Sequence, residues 1–457
     1  MWKNKNLWRN FTKNFRNQKK NGEKLKEPKK NRASLKEFNH KKAEKPIFKD
    51  FSKESCDDAS LILKDGMKDF GFLGKNEKYV LENFDEIVQH SSPLSAKQLL
   101  NLPKCINSLS HSLTDERENR RLGYMNSVED LSAYTRYFSW WNIVRLVKVF
   151  SKFREEDFNL SDEDFCADLG SGPLTVVISL WLSFPKLRNL KLTWYCLDIS
   201  SKALSLGEDL YYSVAAKCPP PSENAEPSWN IIRVKGELGT NLKNKVKLIT
   251  AANMFNEINQ NTTKTYESCA CESVKTLLNY AKSDASFFIF EPGLPNAAHF
   301  ISLCRSQFIL NGKSIFAPCT HTEKCCMNGK NARKGGKSKW CNFALTTEDS
   351  PKKLLKLSDS ANLSKTRLTM SFIFAGTKKY IEEKDSSVLS VRIASDSFLL
   401  PPFKSAFYAC SEKGFLIICD KKNCGIKSGD LLQIKLNKKF ESLPLDSKSG
   451  AKIIVIG

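Results

Sequence analysis

The 457-residue sequence lacks a long apolar run. Its longest runs are pieces such as residues 175–182, far short of the roughly 18 to 20 residues that a membrane-spanning helix needs. The first residues contain no apolar signal core, so we expect neither a membrane segment nor secretion. Without secretion, the fifteen cysteines are not expected to form a disulfide framework. The alternatives are reduced core thiols, a metal or cluster site, and reactive thiols.

Acidic residues are scarce relative to basic ones. The chain has 72 Lys and Arg against 50 Asp and Glu, and its formal net charge is +22. Because 41% of the residues are hydrophobic, we expect a folded protein. The surplus charge therefore points to an anionic partner, and to nucleic acid before a membrane surface.

Two segments carry most of this surplus. Residues 1–50 contain 17 basic and five acidic residues, a net charge of +12, with isolated aromatic residues between them. Residues 312–341 have a net charge of +6. We interpret the first segment as a flexible basic arm that either contacts RNA or only solubilises the protein. Its Lys- and Asn-rich composition differs from that of a mitochondrial presequence.

The pattern of apolar residues changes along the chain. Up to about residue 153 they recur at three and four positions, which predicts helices. Short apolar runs then alternate with amphipathic segments, which predicts an open parallel sheet with helices on both faces. The last part contains strands, including a hairpin that turns at 412–414. In chain order, the predicted segments are a basic arm (1–51), a helical domain (52–153), a Rossmann-like domain (154–311), a Cys-rich insert (312–345) and a C-terminal β region (346–457).

A glycine-bearing loop follows the first predicted strand of the alternating region. Glycines there let a ligand approach the backbone, and the next helix offers unpaired N–H groups at its N-terminus. Asp198 ends the following strand, where a carboxylate can accept hydrogen bonds from ribose. Because Leu174 replaces the third glycine of a dinucleotide loop, the pattern favours S-adenosylmethionine (SAM) over NAD; a tight turn without a ligand is the alternative. The candidate cofactor-binding residues are Asp168, Gly170, Ser171, Gly172, Pro173, Asp198 and Asn253.

Polar residues also close the later strands. Asn253 follows the fourth strand and Glu291 the fifth, and both suit the rim of a substrate or cofactor site. An amino-methylating enzyme would typically have Asn or Asp followed by Pro-Pro and an aromatic residue there. An oxygen methylator would have a Lys-Asp-Lys-Glu-like set. Neither is present, so we assign no catalytic residue.

Four cysteines, Cys319, Cys325, Cys326 and Cys341, lie in a polar, Gly- and Lys-rich loop. Structural thiols normally lie in apolar strands and helices, so thiols in such a loop need another reason to be ordered. Ligation of a metal or cluster supplies one, because ligation energy becomes folding energy. Cys410, on the predicted hairpin, is a candidate fourth ligand beside Cys319, Cys325 and Cys341. Zinc and a [4Fe–4S] cluster both accept four thiolates. The third interpretation is that these are redox-inert loop cysteines that bind neither group.

Several segments carry a family resemblance between about residues 124 and 414. They are the helix with Tyr134 and Arg136, ADLGSGP, ITAANMFNEI, FEPGLPNAAHFI with Arg305, APCTH followed by WCNF, and PPFKSAFYACSEKG. In this order they resemble the methyltransferase-like assembly factors of the small ribosomal subunit, namely the mitochondrial methyltransferase-like protein 17 family and its bacterial relatives.

The resemblance implies an α/β fold with a class I SAM-dependent methyltransferase domain of Rossmann-like type. It also implies a [4Fe–4S] cluster on Cys319, Cys325, Cys341 and Cys410, and action on the small subunit during its maturation. Two positions depart from the family pattern. Leu174 replaces the last glycine of Gly-Ser-Gly-Pro-Gly, which is expected to crowd the helix or the cofactor. Cys326 beside Cys325 leaves the second ligand open.

Two functions are compatible with these features. The first is a binding and assembly factor that docks on small-subunit rRNA, with the methyltransferase fold as a scaffold or SAM sensor. The second is an active SAM-dependent rRNA methyltransferase. In both cases we expect a monomer that binds neither DNA nor membranes. The Lys- and Asn-rich composition favours a bacterial cytoplasm, with the mitochondrial matrix as the alternative.

Overall fold

The computed structural model describes residues 57–114, 125, 127–258, 263–330, 338–377 and 387–457. The predicted arm at 1–51 and the centre of the basic insert at 331–337 lie outside the described residues. The α-helices of the described part are α1 (Lys75–Glu82), α2 (Phe84–Ser91), α3 (Ala96–Thr114), α4 (Val128–Ala133), α5 (Trp140–Phe150), α6 (Thr175–Ser183), α7 (Ser201–Lys217), α8 (Phe255–Ile258), α9 (Tyr266–Tyr280), α10 (Pro295–Leu310) and α11 (Lys352–Ser360). Its strands are β1 (Ala59–Asp65), β2 (Phe165–Leu169), β3 (Thr193–Asp198), β4 (Asn230–Lys235), β5 (Val246–Ala252), β6 (Ala281–Pro292), β7 (Ser314–Ala317), β8 (Phe343–Thr346), β9 (Arg367–Gly376), β10 (Val388–Leu400), β11 (Phe403–Ser411), β12 (Gly414–Asp420), β13 (Leu431–Leu436) and β14 (Lys452–Ile456).

The larger sheet has the strand order β4-β3-β2-β5-β6-β9-β7, and β8 also pairs with β9. The strands β2 to β6 pair in parallel, whereas β9 is antiparallel to both β6 and β7. The central strands β2 and β5 are almost entirely buried, as is typical of parallel strands covered on both faces. A late antiparallel strand beside the last parallel strand is the topology of class I SAM-dependent methyltransferases. The predicted fold class is therefore confirmed.

Helices cover both faces of this sheet. On one face α5, α6 and α7 pack over a buried cluster that includes Trp181, Trp194 and Trp229. On the other face α9 and α10 pack around Phe287 and Phe300. Because the strands β2, β3, β5 and β6 run parallel, their carboxyl ends meet at one edge, and ligands of open α/β sheets bind at such an edge.

The helical pattern before residue 153 corresponds to α1 to α5, with a π-helical turn, Tyr134–Ser139, between α4 and α5. Arg136 in this turn is almost completely buried. Its guanidinium donates hydrogen bonds to Gln89 Oε1 and to the Ser92 carbonyl, both at 2.8 Å. These bonds tie the turn to the end of α2, and they satisfy the buried guanidinium of Arg136.

The C-terminal strands form a closed barrel in the order β1-β13-β10-β11-β12-β14. Alternate residues of its strands, such as Val391, Phe407, Leu416 and Ile454, form its core. The predicted hairpin is present, since β11 and β12 pair antiparallel up to the opposed pair of Ser411 and Gly414.

The strands differ from the sequence-based prediction most clearly at β1 and β9, while β7 and β8, at the two ends of the predicted insert, also pair with β9. β1 lies in the segment predicted to be helical, and it completes the barrel by pairing with β13, more than 350 residues away in the sequence. β9 was predicted in the C-terminal β region, but it pairs with β6 and completes the methyltransferase sheet. Both differences arise from long-range pairing, which local residue patterns do not contain.

Candidate functional site

The loop after β2 brings the predicted cofactor-binding residues together. Gly170 and Gly172 have positive φ angles of 65° and 50°, a conformation that favours glycine. Between them, the Ser171 hydroxyl donates to Oδ2 of Asp168 at 2.6 Å. The Thr250 hydroxyl of β5 donates to Oδ1 of Asp168 at 2.7 Å. Through these two bonds the Asp168 carboxyl ties the loop to the sheet. It has no exposed surface, and this burial raises its pKa to about 7.

Asp198, at the carboxyl end of β3, meets the same loop. Its Oδ2 accepts the Gly172 N–H at 2.9 Å, and its Oδ1 accepts the Ser200 N–H at 2.8 Å. Burial raises the pKa of this carboxyl, which is 6% exposed. Each carboxylate oxygen has a second lone pair, so Asp198 still has acceptor capacity for ribose hydroxyls. The structure thus brings the two predicted strand ends together at this carboxylate.

Two methionines lie over the glycines of the loop. A Cβ on Gly170 would lie 2.8 Å from Cγ of Met254, and a Cβ on Gly172 would lie 3.8 Å from Sδ of Met125. Gly170 therefore allows close packing of Met254, whereas Gly172 leaves ordinary contact distance to Met125. The residues fit SAM at its ribose end, through Asp198, whereas the surfaces of the two glycines face the methionines.

Leu174, in the position of the missing third glycine, is fully buried and has a left-handed φ of 55°. It immediately precedes α6 and packs against Gly207 of α7. A Cβ on Gly207 would lie 2.6 Å from both Cδ1 of Leu174 and the carbonyl carbon of Pro173. The crowding that a leucine at this position is expected to cause is thus relieved by a glycine on the neighbouring helix.

The polar residues after β5 and β6 bind backbone groups. Asn253 has a positive φ of 57°, and its N–H donates to the Phe290 carbonyl at 2.8 Å. Glu291 accepts the N–H groups of Phe255 and Asn256 at 2.9 and 3.2 Å, where α8 begins. Burial raises the pKa of Glu291 to about 8. The expectation that Glu291 lies at a ligand rim is wrong, because its side chain is fully buried.

Five cysteines line one cavity of about 30 Å³. The cavity lies where α10 of the methyltransferase fold, the insert and the barrel strand β11 meet. The insert provides four of these cysteines and β11 provides the fifth. They are Cys319, Cys325, Cys326, Cys341 and Cys410. The structure therefore brings all four predicted ligands to one place, together with Cys326.

Burial raises the pKa of the Cys319, Cys325 and Cys341 thiols, and for Cys325 to about 12. For Cys410, a hydrogen bond with Cys326 raises the pKa first and burial adds to it. Cys325 interacts electrostatically with Cys319 and Cys410. Both candidates for the second ligand thus reach the cavity, and they differ in that Cys326 is hydrogen-bonded to Cys410.

Two buried arginines flank the thiols. Arg305 of α10 donates Nε–H to Sγ of Cys319 at 3.2 Å and a terminal N–H to the His321 carbonyl at 2.6 Å. Arg392 of β10 donates to the carbonyls of Pro318 and Gly429 at 2.7 and 2.8 Å. Their exposures are 3% and 9%. Within the described part of the chain, neither guanidinium forms an ion pair with a carboxylate, although the charge of Asp65 acts on Arg392. Both cations therefore favour an anionic occupant of the cavity.

Four thiolates are a donor set that both zinc and a [4Fe–4S] cluster accept. Among the residues that the structure describes, no group of three or more His, Cys, Asp or Glu side chains is arranged to hold a metal ion. The five thiols nevertheless line one cavity, and their chemistry fits either group.

Comparison with known proteins places the chain in a family. A family model described as mitochondrial small ribosomal subunit Rsm22 matches residues 132–395, more than half of the chain. The chain belongs to this family. The match confirms the resemblance to small-subunit factors that the sequence motifs indicate. It includes the loop after β2, Asp198 and the insert cysteines, and it ends before Cys410.

Solved structures similar to this Rsm22-family chain are methyltransferases of low sequence identity. A SAM-dependent methyltransferase from Aquifex aeolicus is 12% identical, with 52% of this chain and 92% of that chain covered and a TM-score of 0.29. A putative RNA methyltransferase from Pyrococcus horikoshii is 12% identical, with coverages of 51% and 83% and a TM-score of 0.27. At these scores the fold assignment rests on the strand order alone. No curated protein matches the chain.

No helix among the described residues is long and apolar enough to cross a membrane.

Proposed function

We propose that this chain is a methyltransferase-fold factor that binds rRNA of the small ribosomal subunit during assembly and carries a [4Fe–4S] cluster between its insert and its barrel. The observation that carries the proposal is the convergence of Cys319 and Cys341 of the insert with Cys410 of β11, a separate part of the sequence, on one cavity. Membership of a family described by the small ribosomal subunit supports the ribosomal partner.

The cluster would be held by Cys319, Cys325, Cys341 and Cys410, with Cys326 as the alternative to Cys325. When bound, it supplies a cross-link that stabilises the fold and a redox-active centre. The two buried guanidiniums support this assignment, because four thiolates around a cluster carry a net negative charge. In the absence of an anion, Arg305 and Arg392 would be buried charges that form no ion pair with a carboxylate in the described part of the chain.

RNA binding is supported by the position of the charge. The arm at 1–51 and the insert at 312–345 carry most of the net charge, and cations that neutralise phosphates make RNA affinity depend on salt. Deleting residues 1–50 is expected to lower the affinity for small-subunit rRNA and to flatten its salt dependence. An unchanged salt slope would leave the arm with only a solubilising role.

SAM binding at the edge of the sheet is part of the proposal. Asp198 favours it, since this carboxylate ends β3 and is anchored by the loop after β2. Calorimetry with SAM tests it: Asp198→Asn is expected to weaken binding at least tenfold, and the exposed Asp209→Asn on α7 serves as the matched control. No detectable binding to the wild type, or equal binding by both variants, would contradict a SAM site.

An active rRNA methyltransferase is the second candidate, and Asp198 is the observation that favours it. Transfer of a tritiated methyl group from SAM to small-subunit rRNA would support it. SAM binding without methyl transfer would favour the assembly factor, in which the methyltransferase fold is a scaffold or a sensor.

The mitochondrial matrix is the proposed location, because the family description names the mitochondrion. This choice replaces the bacterial cytoplasm that the composition favours. We also propose that the protein acts as a monomer, with the arm, helical part, methyltransferase domain, insert and β region as its functional segments.

Co-sedimentation with isolated small ribosomal subunits tests the partner. The full chain is expected to migrate with small subunits and not with large subunits at moderate salt. Equal binding to both, or to neither, would contradict the proposed function.

A further inference from the structure

The strand pairing of the barrel is that of an oligonucleotide-binding fold. β10, β11 and β12 form an antiparallel meander, β12 pairs in parallel with β14, and β10 pairs antiparallel with β13. β1 is an additional strand between β13 and β14. The long strand β10 pairs with β13 at its start and with β11 at its end, as the bent first strand of this fold does. Such barrels bind oligonucleotides on the face of their second and third strands, which here are β11 and β12.

Three aromatic side chains form a diagonal row on the outer face of these strands. The rings of Phe398 and Tyr408 are stacked, with centroids 4.5 Å apart and planes at 28°. Those of Tyr408 and Phe415 are stacked at 5.5 Å and 22°. The neighbouring residues Phe407 and Leu416 belong to the barrel core, so by strand alternation the row lies outside the barrel. All three rings are partly exposed, and Tyr408 and Phe415 also pack on one side against the hydrophobic cluster of the methyltransferase part.

Lysines flank this aromatic row. Nζ of Lys339, from the basic insert, lies 4.0 Å from the ring centroid of Tyr408. Lys404 is exposed and alternates onto the same face of β11 as Tyr408. Lys413 is exposed in the turn that precedes Phe415. The row therefore combines planar apolar surface with positive charge, which is the combination that single-stranded nucleic acid requires.

We infer that the row Phe398–Tyr408–Phe415 is a binding site for single-stranded RNA, with bases stacking on the exposed surfaces of the two end rings, Phe398 and Phe415, and phosphates contacting the lysines. This inference rests on the proposed function and assigns its RNA contact to a particular surface. Stacking needs unpaired bases, so the expected ligand is a loop or single strand and not a duplex. The lysines favour a polyanion over an apolar protein segment.

Binding of a fluorescent oligouridylate of about 12 nucleotides to the full chain tests the inference, since one such barrel contacts about 4 to 16 nucleotides. Phe398→Leu and Phe415→Leu keep apolar volume but remove the aromatic plane. Each is expected to weaken binding roughly 5- to 150-fold. Tyr79→Leu on α1 is the matched control, because Tyr79 is also an exposed ring with a lysine, Lys217, near it. An RNA duplex is expected to bind equally to all variants.

Thermal unfolding midpoints show whether the aromatic variants fold. Lys404→Gln serves as a second test, because this exposed side chain contributes little to folding. It is expected to reduce the salt slope of binding by about one ion. Oligouridylate affinity that is unchanged in folded Phe398→Leu and Phe415→Leu, or an unchanged slope in Lys404→Gln, would overturn the inference. If the wild type still binds small-subunit rRNA, the proposed function survives that result; a wild type that binds no RNA overturns both.

Discussion

Arg305 donates its Nε–H to Sγ of Cys319 across 3.2 Å, from a guanidinium that is almost completely buried. The bond joins α10 of the methyltransferase fold to the cysteine insert. A cationic donor stabilises a thiolate more than a thiol, and the pKa of Cys319 reflects this opposition, since burial raises it and Arg305 lowers it. The Arg305 contact favours the thiolate form of Cys319 and opposes burial, which still leaves the pKa of this thiol above its ordinary value.

Arg305→Gln is expected to lower the reduction potential of the bound cluster. Removing a positive charge disfavours the reduced state, which carries one more negative charge, and the hydrogen bond to sulfur is weakened as well. A decrease of about 60 mV would correspond to a tenfold change in a one-electron equilibrium. A redox titration followed by electron paramagnetic resonance measures it. The exposed Arg367→Gln is the control, and equal potentials in both variants would contradict the role of Arg305.

Single Cys→Ser variants are expected to separate ligands from bystanders. Cys319→Ser, Cys341→Ser and Cys410→Ser should each lose most of the bound iron, because each removes one thiolate. The buried core thiol Cys304 is the control, and Cys304→Ala should keep its iron. Iron and acid-labile sulfide per chain are the measurements, and retained iron in Cys410→Ser would remove the barrel from the site.

The variants Cys325→Ser and Cys326→Ser identify the second ligand in the same iron and sulfide assay. We expect Cys325→Ser to lose its iron and Cys326→Ser to keep it, because the Cys326 thiol is hydrogen-bonded to Cys410. The reverse result would assign Cys326 as the ligand.

Glu291 is expected to make stability depend on pH. Burial raises its pKa from 4.5 to about 8, so folding favours the protonated form. The stabilisation that Glu291 contributes to the folded state is fully present below its pKa of 4.5 in the unfolded chain. It is lost as the pH rises from there through its pKa of about 8 in the folded protein. Wild-type stability should therefore fall by at most about 1.4 kcal/mol per pH unit in this window, relative to Glu291→Gln. Urea unfolding at several pH values measures the slope.

The exposed Glu272→Gln is the control for Glu291, because Lys264 lowers the pKa of Glu272 below the window. If Glu291→Gln and wild type show the same slope, the carboxyl does not titrate as described.

Gly207→Ala should destabilise the fold by about 1–3 kcal/mol, the usual cost of overpacking. Its Cβ would lie 2.6 Å from both the carbonyl carbon of Pro173 and Cδ1 of Leu174. Ser205→Ala on the same helix is expected to change stability little. Chemical denaturation measures both, and a neutral Gly207→Ala would show that α7 can move away from the loop.

Much of this architecture can be predicted from the sequence. The alternation of apolar runs and amphipathic segments predicts the parallel sheet, because each strand and helix repeats a local pattern. The loop from Asp168 to Gly172 and the carboxylate of Asp198 can be found in the same way, since their positions follow from strand ends. The link between Cys410 and the insert comes from the family resemblance.

Other features depend on contacts that no local pattern contains. β1 forms because β13 presents an edge to it, and Glu291 is buried because α8 begins above it. Arg392 lies on an alternating strand and has no sequence signal as a partner of the cysteine cavity. The oligonucleotide-binding topology is visible only in the strand pairing, since the pairs β10–β13 and β12–β14 join strands that are not consecutive in the sequence.

Anaerobic purification followed by iron, zinc and sulfide analysis tests the central claim most directly, because the proposed cluster would connect the insert and the barrel. The account predicts about four iron and four sulfide per chain, with the broad visible absorbance of an iron–sulfur cluster, and loss of both in Cys319→Ser. Stoichiometric zinc without iron or sulfide would contradict it.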